Sequence, residues 1–495
     1  MISMNIKKEC SSCLLCADAP CSKNCPHNID PAKIIRSLRF TNYQGAFARC
    51  QDICLNCDAP CEKHCLAPNS VRIKDILSYC LKKKKENPIE NKHGDIHTDI
   101  CGIPIENPFL LSSSVVGSNY EMVKRAFEMG WAGVSYKTIC LMDIHEASPR
   151  FSMIKNSDGS FQSFKNIEQL SDRSLEENLD TFRRLKEEFP NKFLLVSIMG
   201  RDDEEWAYLA KKSEEAGADA IELNFSCPNM MEENTGSSVG QVPALVERFT
   251  RVVKNAVKIP VLAKLTPNVD SMVPAALAAK RGGADGIAAI NTIKSITEFN
   301  IIDKLYEQKE LPKFAFGGLS GPAVKPIALR FVVEMTQNEG LKDLHFSAMG
   351  GIENYQDALM FLALGAGSIQ ITTAVMQYGY RIIEDLTEGL SLFLGRLDMS
   401  LSELKNKVFP QLVDINEIER DVIIYPKFIR ENCLHCGRCA ISCRDGGHQA
   451  ITFDETRSPI LDPKRCVGCH LCLLVCPNDA IISSEIKVKK AINIH

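Results

Sequence analysis

Residues 219–240 read DAIELNFSCPNMMEENTGSSVG, from Asp219 to Gly240. The stretch opens as an apolar run that reaches Asn224 and breaks at Ser226-Cys227-Pro228. It continues as a polar loop containing Ser and Gly, and a helical pattern resumes near Val242. A buried strand, a loop and a helix make one unit of a βα repeat. In a βα-barrel the chemistry lies at the C-terminal ends of the strands. Cys227 stands at that mouth. Most isolated cysteines are buried packing residues, so its weight depends on the rest of the chain.

Outward from this unit, the same alternation runs from Pro108 to about Leu394. The pattern predicts eight strands: Phe109–Ser113, Gly133–Lys137, Phe193–Ile198, Ala220–Asn224, Pro260–Leu265, Gly286–Ile290, His345–Met349 and Ser368–Thr372. Amphipathic helices fall between them, for example Ser174–Glu188, Asp203–Ala216, Ala244–Val257 and Tyr355–Leu364. Eight such units in under 300 residues specify a (β/α)8 TIM barrel, with a doubly wound sheet as the competing layout. The strand ends are polar: Ser112-Ser113, Lys137-Thr138, Asn224, Lys264, Asn291-Thr292, Met349-Gly350-Gly351 and Thr372-Thr373. One such end is an ordinary turn or cap; seven on one face suggest a site. Gly350-Gly351 and Thr372-Thr373 suit a phosphate, through free backbone N–H groups, hydroxyls and a helix start. A tight Gly-Gly turn without a ligand is the plainer alternative.

The chain has 495 residues, 45% hydrophobic and 24% charged, with a formal net charge of −4. That length calls for several domains. Nothing in the charge balance asks for nucleic acid. No apolar run approaches the ~18 residues of a membrane span, and the N-terminus lacks a signal-peptide core. A cytoplasmic protein with reduced thiols is expected. The run Lys82–Lys85 reads as part of a solvated linker.

Eighteen of the 22 cysteines fall within Cys10–Cys65 and Cys433–Cys476. In the first segment Cys10, Cys13, Cys16, Cys21 and Cys25 recur as Cys50, Cys54, Cys57, Cys61 and Cys65, with the helical-looking Pro31–Arg49 between. Two runs of five suit a pair of iron–sulfur clusters better than zinc, and two cysteines are then spare. Cys10 is the simplest candidate for one of them. The second segment carries C-x2-C-x2-C-x3-C twice, the pattern of a two-cluster ferredoxin, in which the fourth cysteine of each run crosses to the other cluster. The sets expected are Cys433, Cys436, Cys439 and Cys476, and Cys443, Cys466, Cys469 and Cys472. Arg444 stands where a proline usually follows the first run. The expected domains are an α-helical iron–sulfur domain (1–80), a linker (81–100), the barrel (101–400) and a ferredoxin-like domain (401–495).

With those features in place, the chain resembles the dihydropyrimidine dehydrogenase family over nearly its whole length. The stretches that carry the likeness are CLLCADAPCSKNCP, NPFLLSSS, YKT, SPRF, NIEQLSDR, ELNFSCP, AKLTPNV, NTIKS, GGLSGPAVKPIALR, GGIENYQDAL and the ferredoxin pair. The resemblance implies a dihydroorotate dehydrogenase-like barrel holding FMN. Its flavin-contacting positions match Ser113, Lys137, Thr138, Lys264, Gly321, Met349, Gly350, Gly351, Thr372 and Thr373. Its pyrimidine-binding positions match Asn166, Asn224, Ser226, Asn291 and Thr292, with Glu168 as a further acceptor. Carboxamides suit a flat ring edged by alternating C=O and N–H. Cys227 matches the proton donor and acceptor for interconverting uracil or thymine with the 5,6-dihydro base. The loop Met230–Gly240 would close over it. The resemblance also implies two N-terminal [4Fe–4S] clusters. Cys13, Cys16, Cys21 and Cys54 would hold one, and Cys25, Cys61 and Cys65 the other, with Cys57 or Cys50 as its open fourth ligand.

Large members of that family carry FAD and NADPH domains between the N-terminal clusters and the barrel. Here only a short linker joins them, and no G-x-G-x-x-G follows a strand. The bacterial two-subunit form is thus the nearer likeness. An FAD/NAD(P)H-binding partner subunit or a ferredoxin would exchange electrons with this chain, in a homodimer or heterotetramer. Two other functions stay open: dihydroorotate dehydrogenase, which Glu168 would disfavour by repelling orotate's carboxylate, and a non-catalytic electron-transfer subunit.

Overall fold

The structure is a computed structural model and describes residues 4–86, 92–157, 159–230, 235–296, 315–405 and 412–489. Eight parallel strands close into a barrel. In chain order they are β1 (Phe109–Leu111), β2 (Gly133–Ile139), β3 (Phe193–Ile198), β4 (Ala220–Phe225), β5 (Val261–Leu265), β6 (Gly286–Ala289), β7 (His345–Ala348) and β8 (Ser368–Ile371). The order is β1 through β8, with β8 paired to β1. All eight expected strands are present, each within one residue of the expected bounds except β1 and β2, which end two residues earlier and two later. The doubly wound alternative is excluded by closure.

The strands are buried along both faces because helices cover the outside and side chains fill the inside. β3 and β4 are buried at every position. The helices begin where the sequence supplies caps. Ser174 and Glu177 form a reciprocal capping box, and Asp202 and Asn354 accept from backbone N–H groups two or three residues on. Periodicity did not reveal a four-stranded antiparallel sheet, in the order 293–295, 317–320, 161–166, 151–155, at the C-terminal side of the barrel strands. Its strands are short and half-exposed, so they lack a clean apolar alternation.

The N-terminal segment belongs to the same compact unit, which spans Met1–Phe409. Its helices Met4–Ser12, Pro31–Arg39, Tyr43–Arg49 and Ile73–Glu86 enclose their own core, with Ile34, Ile35, Ile76 and Cys80 fully buried. The run Lys82–Lys85 lies in the last turns of Ile73–Glu86 and is no linker. Lysines near a helix C-terminus face the negative end of its dipole, and Lys84 donates to the carbonyls of Ala48 and Cys50. Of the expected linker, residues 87–91 lie outside the described residues.

This segment docks on the barrel's last long helix, Ile382–Leu397, through a buried carboxylate. Asp385, 0% exposed, accepts from Arg36 Nε at 2.9 Å and Ser37 Oγ at 2.6 Å and pairs with Lys33 Nζ at 3.2 Å. Asn42 bridges to Glu388, and Arg381 donates to the carbonyls of Leu15 and Cys16. Residues Pro410–His495 form a second unit. In it, two two-stranded sheets and the helix Arg438–Gly446 surround a small core around Ile451, Cys472 and Ile481.

Candidate active site and cluster sites

The barrel opens at the C-terminal ends of its strands into one cleft. Cys227, just beyond β4, lines it. So do Asn166, Glu168, Asn224, Asn291, Thr292, Ser113, Lys137, Thr138, Lys264, Gly321, Met349, Gly350, Gly351, Thr372 and Thr373. Residues drawn from stretches more than 250 positions apart therefore meet at one face. Ser226 does not line the cleft. It is fully buried behind it, donating to Asn224 Oδ1 and accepting from Asn291 Nδ2, each at 2.8 Å. Its role is to orient those two carboxamides. Asn224 in turn donates to Thr138 Oγ1 at 2.8 Å, and Asn166 donates to the Gly318 carbonyl.

Burial pushes the Cys227 thiol up to about 11, with nearby Lys264 opposing the rise. The side chain is 6% exposed and neutral near pH 7. A neutral thiol can give a proton. Of the loop Met230–Gly240, residues 231–234 lie outside the described residues. The carbonyl of Cys227 accepts from Ser237 N, which ties the loop's return to the thiol's own backbone.

Two lysines point into the cleft with different partners. Lys137 meets Glu168 at 2.9 Å and Glu146 at 3.5 Å, while Arg150 Nε lies 3.1 Å from Glu168. Among the described residues Lys264 meets Glu222 alone, at 3.6 Å. The sequence reading gave no role to Glu146, Arg150, Glu222 or Gln370. The signal for Glu222 was present: a carboxylate inside an otherwise apolar strand, two residues from Asn224 and hence on the same face. Glu353 also lines the cleft, and burial beside Asp357 pushes its carboxyl up to about 7.

The residues fit a flavin phosphate. Gly350 and Gly351 have φ of +127° and +74°. A Cβ on Gly351 would come within 2.9 Å of the Gly321 carbonyl oxygen, so only glycine lets these two loops meet. Thr373 donates to Ser320, and Lys325 lies beyond the loop, paired with Asp357. Deeper in the cleft, Gln370 Oε1 is buried without a hydrogen-bond partner, an acceptor waiting for a bound group.

The cysteines of the C-terminal unit group as the spacing predicts. Cys433, Cys436, Cys439 and Cys476 line one cavity, and Cys443, Cys466, Cys469 and Cys472 line a second. Backbone N–H groups of His435, Ala450, Gly468 and Ala480 point at Cys433, Cys443, Cys466 and Cys476 sulfurs. Such contacts stabilise thiolate ligands.

The N-terminal cysteines group otherwise than the resemblance implies. Cys54 lines a cavity with Cys25, Cys57 and Cys61, not with Cys13, Cys16 and Cys21. Cys65 instead stands close enough to Cys13 and Cys21 for their charges to interact. Cys50 does not line that cavity: it is buried and faces Cys80 within hydrogen-bonding reach. Cys10 is 3% exposed in the same core. Cys50 and Cys80 are buried in the core of the segment, and the next cysteine, Cys54, faces the second cavity.

Comparison with known proteins agrees with this architecture. Residues 95–394 match the dihydroorotate dehydrogenase family model and residues 427–483 a 4Fe-4S dicluster domain. The NAD-dependent dihydropyrimidine dehydrogenase subunit PreA of Escherichia coli (strain K12) is 48% identical over 398 residues, covering 80% of this chain and 97% of that protein. This chain belongs to the dihydropyrimidine dehydrogenase family. Its members' barrel is shared more widely. The chloroplastic dihydropyrimidine dehydrogenase (NADP(+)) of Arabidopsis thaliana is 36% identical over 321 residues, 62% of this chain and 75% of that protein. The catalytic subunit of dihydroorotate dehydrogenase B (NAD(+)) from Pyrococcus abyssi is 38% identical over 299 residues, 60% of this chain and 94% of that protein. The chain is thus an oxidoreductase built from a flavin-type barrel and an iron–sulfur unit. Among the described residues no helix is long and apolar enough to cross a membrane.

Proposed function

We propose that this chain interconverts uracil or thymine and the 5,6-dihydropyrimidine, with FMN in the barrel cleft and Cys227 carrying the proton. The observation that supports it most is a neutral, buried thiol at the mouth of β4, among three carboxamides that converge on the same cleft. Bound FMN would exchange hydride with C6 of the base. The protein's own groups do the rest. Asn166, Asn224 and Asn291 hold the ring by its alternating donors and acceptors. Cys227 Sγ gives a proton to C5 in reduction and takes it back in oxidation. A general acid of this kind contributes roughly 10²–10⁴ in rate. Glu168, Lys137 and Arg150 form the rim that meets the ring's remaining polar edge.

Lys264 is the cation that would face the reduced flavin, and Gly350, Gly351, Thr372 and Thr373 would take its phosphate. Four [4Fe–4S] clusters would link the cleft to a partner. The N-terminal pair would be held by Cys13, Cys16, Cys21 and Cys65, and by Cys25, Cys54, Cys57 and Cys61. The partner would be an FAD/NAD(P)H-binding subunit or a ferredoxin.

Photoreduced enzyme should be reoxidised by uracil or thymine, and Cys227→Ala should slow this roughly 10²–10⁴-fold while leaving flavin and iron content unchanged. Reoxidation by orotate in preference to uracil would place the chain with dihydroorotate dehydrogenases. Glu168 opposes orotate less than a lone carboxylate would, because Lys137 and Arg150 already pair with it. Unchanged turnover in Cys227→Ala would instead mark a barrel that only carries electrons.

A further inference from the structure

Beneath the cleft, the interior of the barrel is polar where β2, β4 and β8 approach one another. Glu222 on β4 is 0% exposed and does not line the cleft. Its Oε1 accepts from Ser135 Oγ at 3.0 Å and lies 3.6 Å from Lys264 Nζ. Its Oε2 accepts from Gln370 Nε2 at 3.2 Å. Gln370 spends its second N–H on Ser347 Oγ at 3.0 Å, so the carboxylate's donor cannot rotate away. Two neutral donors and one cation make an ionised carboxylate tolerable in a dry interior, where an isolated one would not be.

The two cleft lysines are therefore compensated differently. Lys137 has carboxylates at the level of the rim. Lys264, 3% exposed, has one anionic partner among the described residues, Glu222, which lies below it, on the side away from the cleft. A negative charge placed there subtracts from the field that Lys264 projects upward, and at low dielectric the subtraction is large.

We propose that Glu222 is a positioning residue that holds the Lys264 ammonium under the cleft and attenuates its charge, and so sets the reduction potential of the bound flavin. The inference rests on the reading of the cleft as an FMN site. A purely structural role for Glu222, bridging β2, β4 and β8, would leave that potential where it is.

The test is an anaerobic spectroelectrochemical titration of the flavin in the FMN-loaded full chain. Glu222→Gln is nearly isosteric and removes the charge. It should favour reduced flavin about tenfold at a given potential, a shift of about +30 mV for a two-electron couple. Ser135→Ala should move the midpoint the opposite way by about twofold, because losing that donor leaves more negative charge on the oxygen facing Lys264. An unmoved or lowered midpoint in Glu222→Gln overturns the proposal. If that variant does not fold, Ser135→Ala decides: a lowered midpoint supports the proposal, and an unchanged or raised one overturns it. Wild-type protein that neither carries nor rebinds FMN overturns the FMN reading and this inference together. Flavin-loaded wild type with unmoved variants overturns the inference alone.

Discussion

The N-terminal segment and the C-terminal unit each carry two runs of cysteines, and in each the last cysteine of one run lies with three of the other, the first three in the C-terminal unit and the second to fourth in the N-terminal segment. They differ in what surrounds the runs. The C-terminal unit has a small core and eight cysteines, all of which face its two cavities. The N-terminal segment has ten cysteines in its runs and a larger apolar core that absorbs Cys10 and Cys50 beside Cys80. It is also fastened to the barrel through Asp385. Spare thiols make spacing ambiguous, and packing then chooses among them.

The sharpest way to break this comparison is to remove one cysteine of each kind. Cys57→Ser should cost a whole cluster, about four iron atoms of about sixteen, whereas Cys50→Ser should leave the iron count unchanged. Iron and sulfide analysis of anaerobically purified protein checks this, and equal losses would contradict the grouping. A smaller effect should follow from the docking contact. Asp385→Asn leaves Lys33 and Arg36 without their buried partner and should destabilise the N-terminal segment by about 3 kcal/mol. Denaturant titration followed by cluster absorbance would show the N-terminal transition moving earlier, with the C-terminal one fixed.

The smallest effect concerns pH. Glu353 lies where the barrel meets the N-terminal segment, near Arg39, and Asn354 beside it pairs with Thr41. Its folded carboxyl titrates near 7, above its unfolded value of 4.5. The folded state therefore binds the extra proton between those values. The stabilisation is complete below pH 4.5 and is lost as pH rises towards 7, by roughly 3 kcal/mol. Stability of the flavin-free protein should fall over that window, and Glu353→Gln should abolish the slope.

Much of the cleft was legible in the sequence. The eight strands announced themselves as apolar runs, and polar residues just past each run marked one face. Glu146, Arg150, Glu222 and Gln370 were not legible, because a charged or amide side chain inside a strand or loop has no periodic signature. Only its partners reveal what it does: for Glu222 these are Ser135 and Gln370, 87 and 148 residues distant. Ser226 is a related case: it lies just past the end of β4, where strand alternation no longer says which way a side chain faces, and its hydroxyl sits between Asn224 and Asn291 rather than lining the cleft.

Chain order alone determined the barrel, the ferredoxin-type ligand sets and the position of Cys227, because each depends on local spacing along the backbone. Tertiary structure decided which N-terminal cysteines face which cavity, what neutralises each cleft lysine, and that Lys82–Lys85 ends a helix. Those outcomes depend on burial and on charges brought together from distant parts of the chain, and neither is a property of any single stretch of residues.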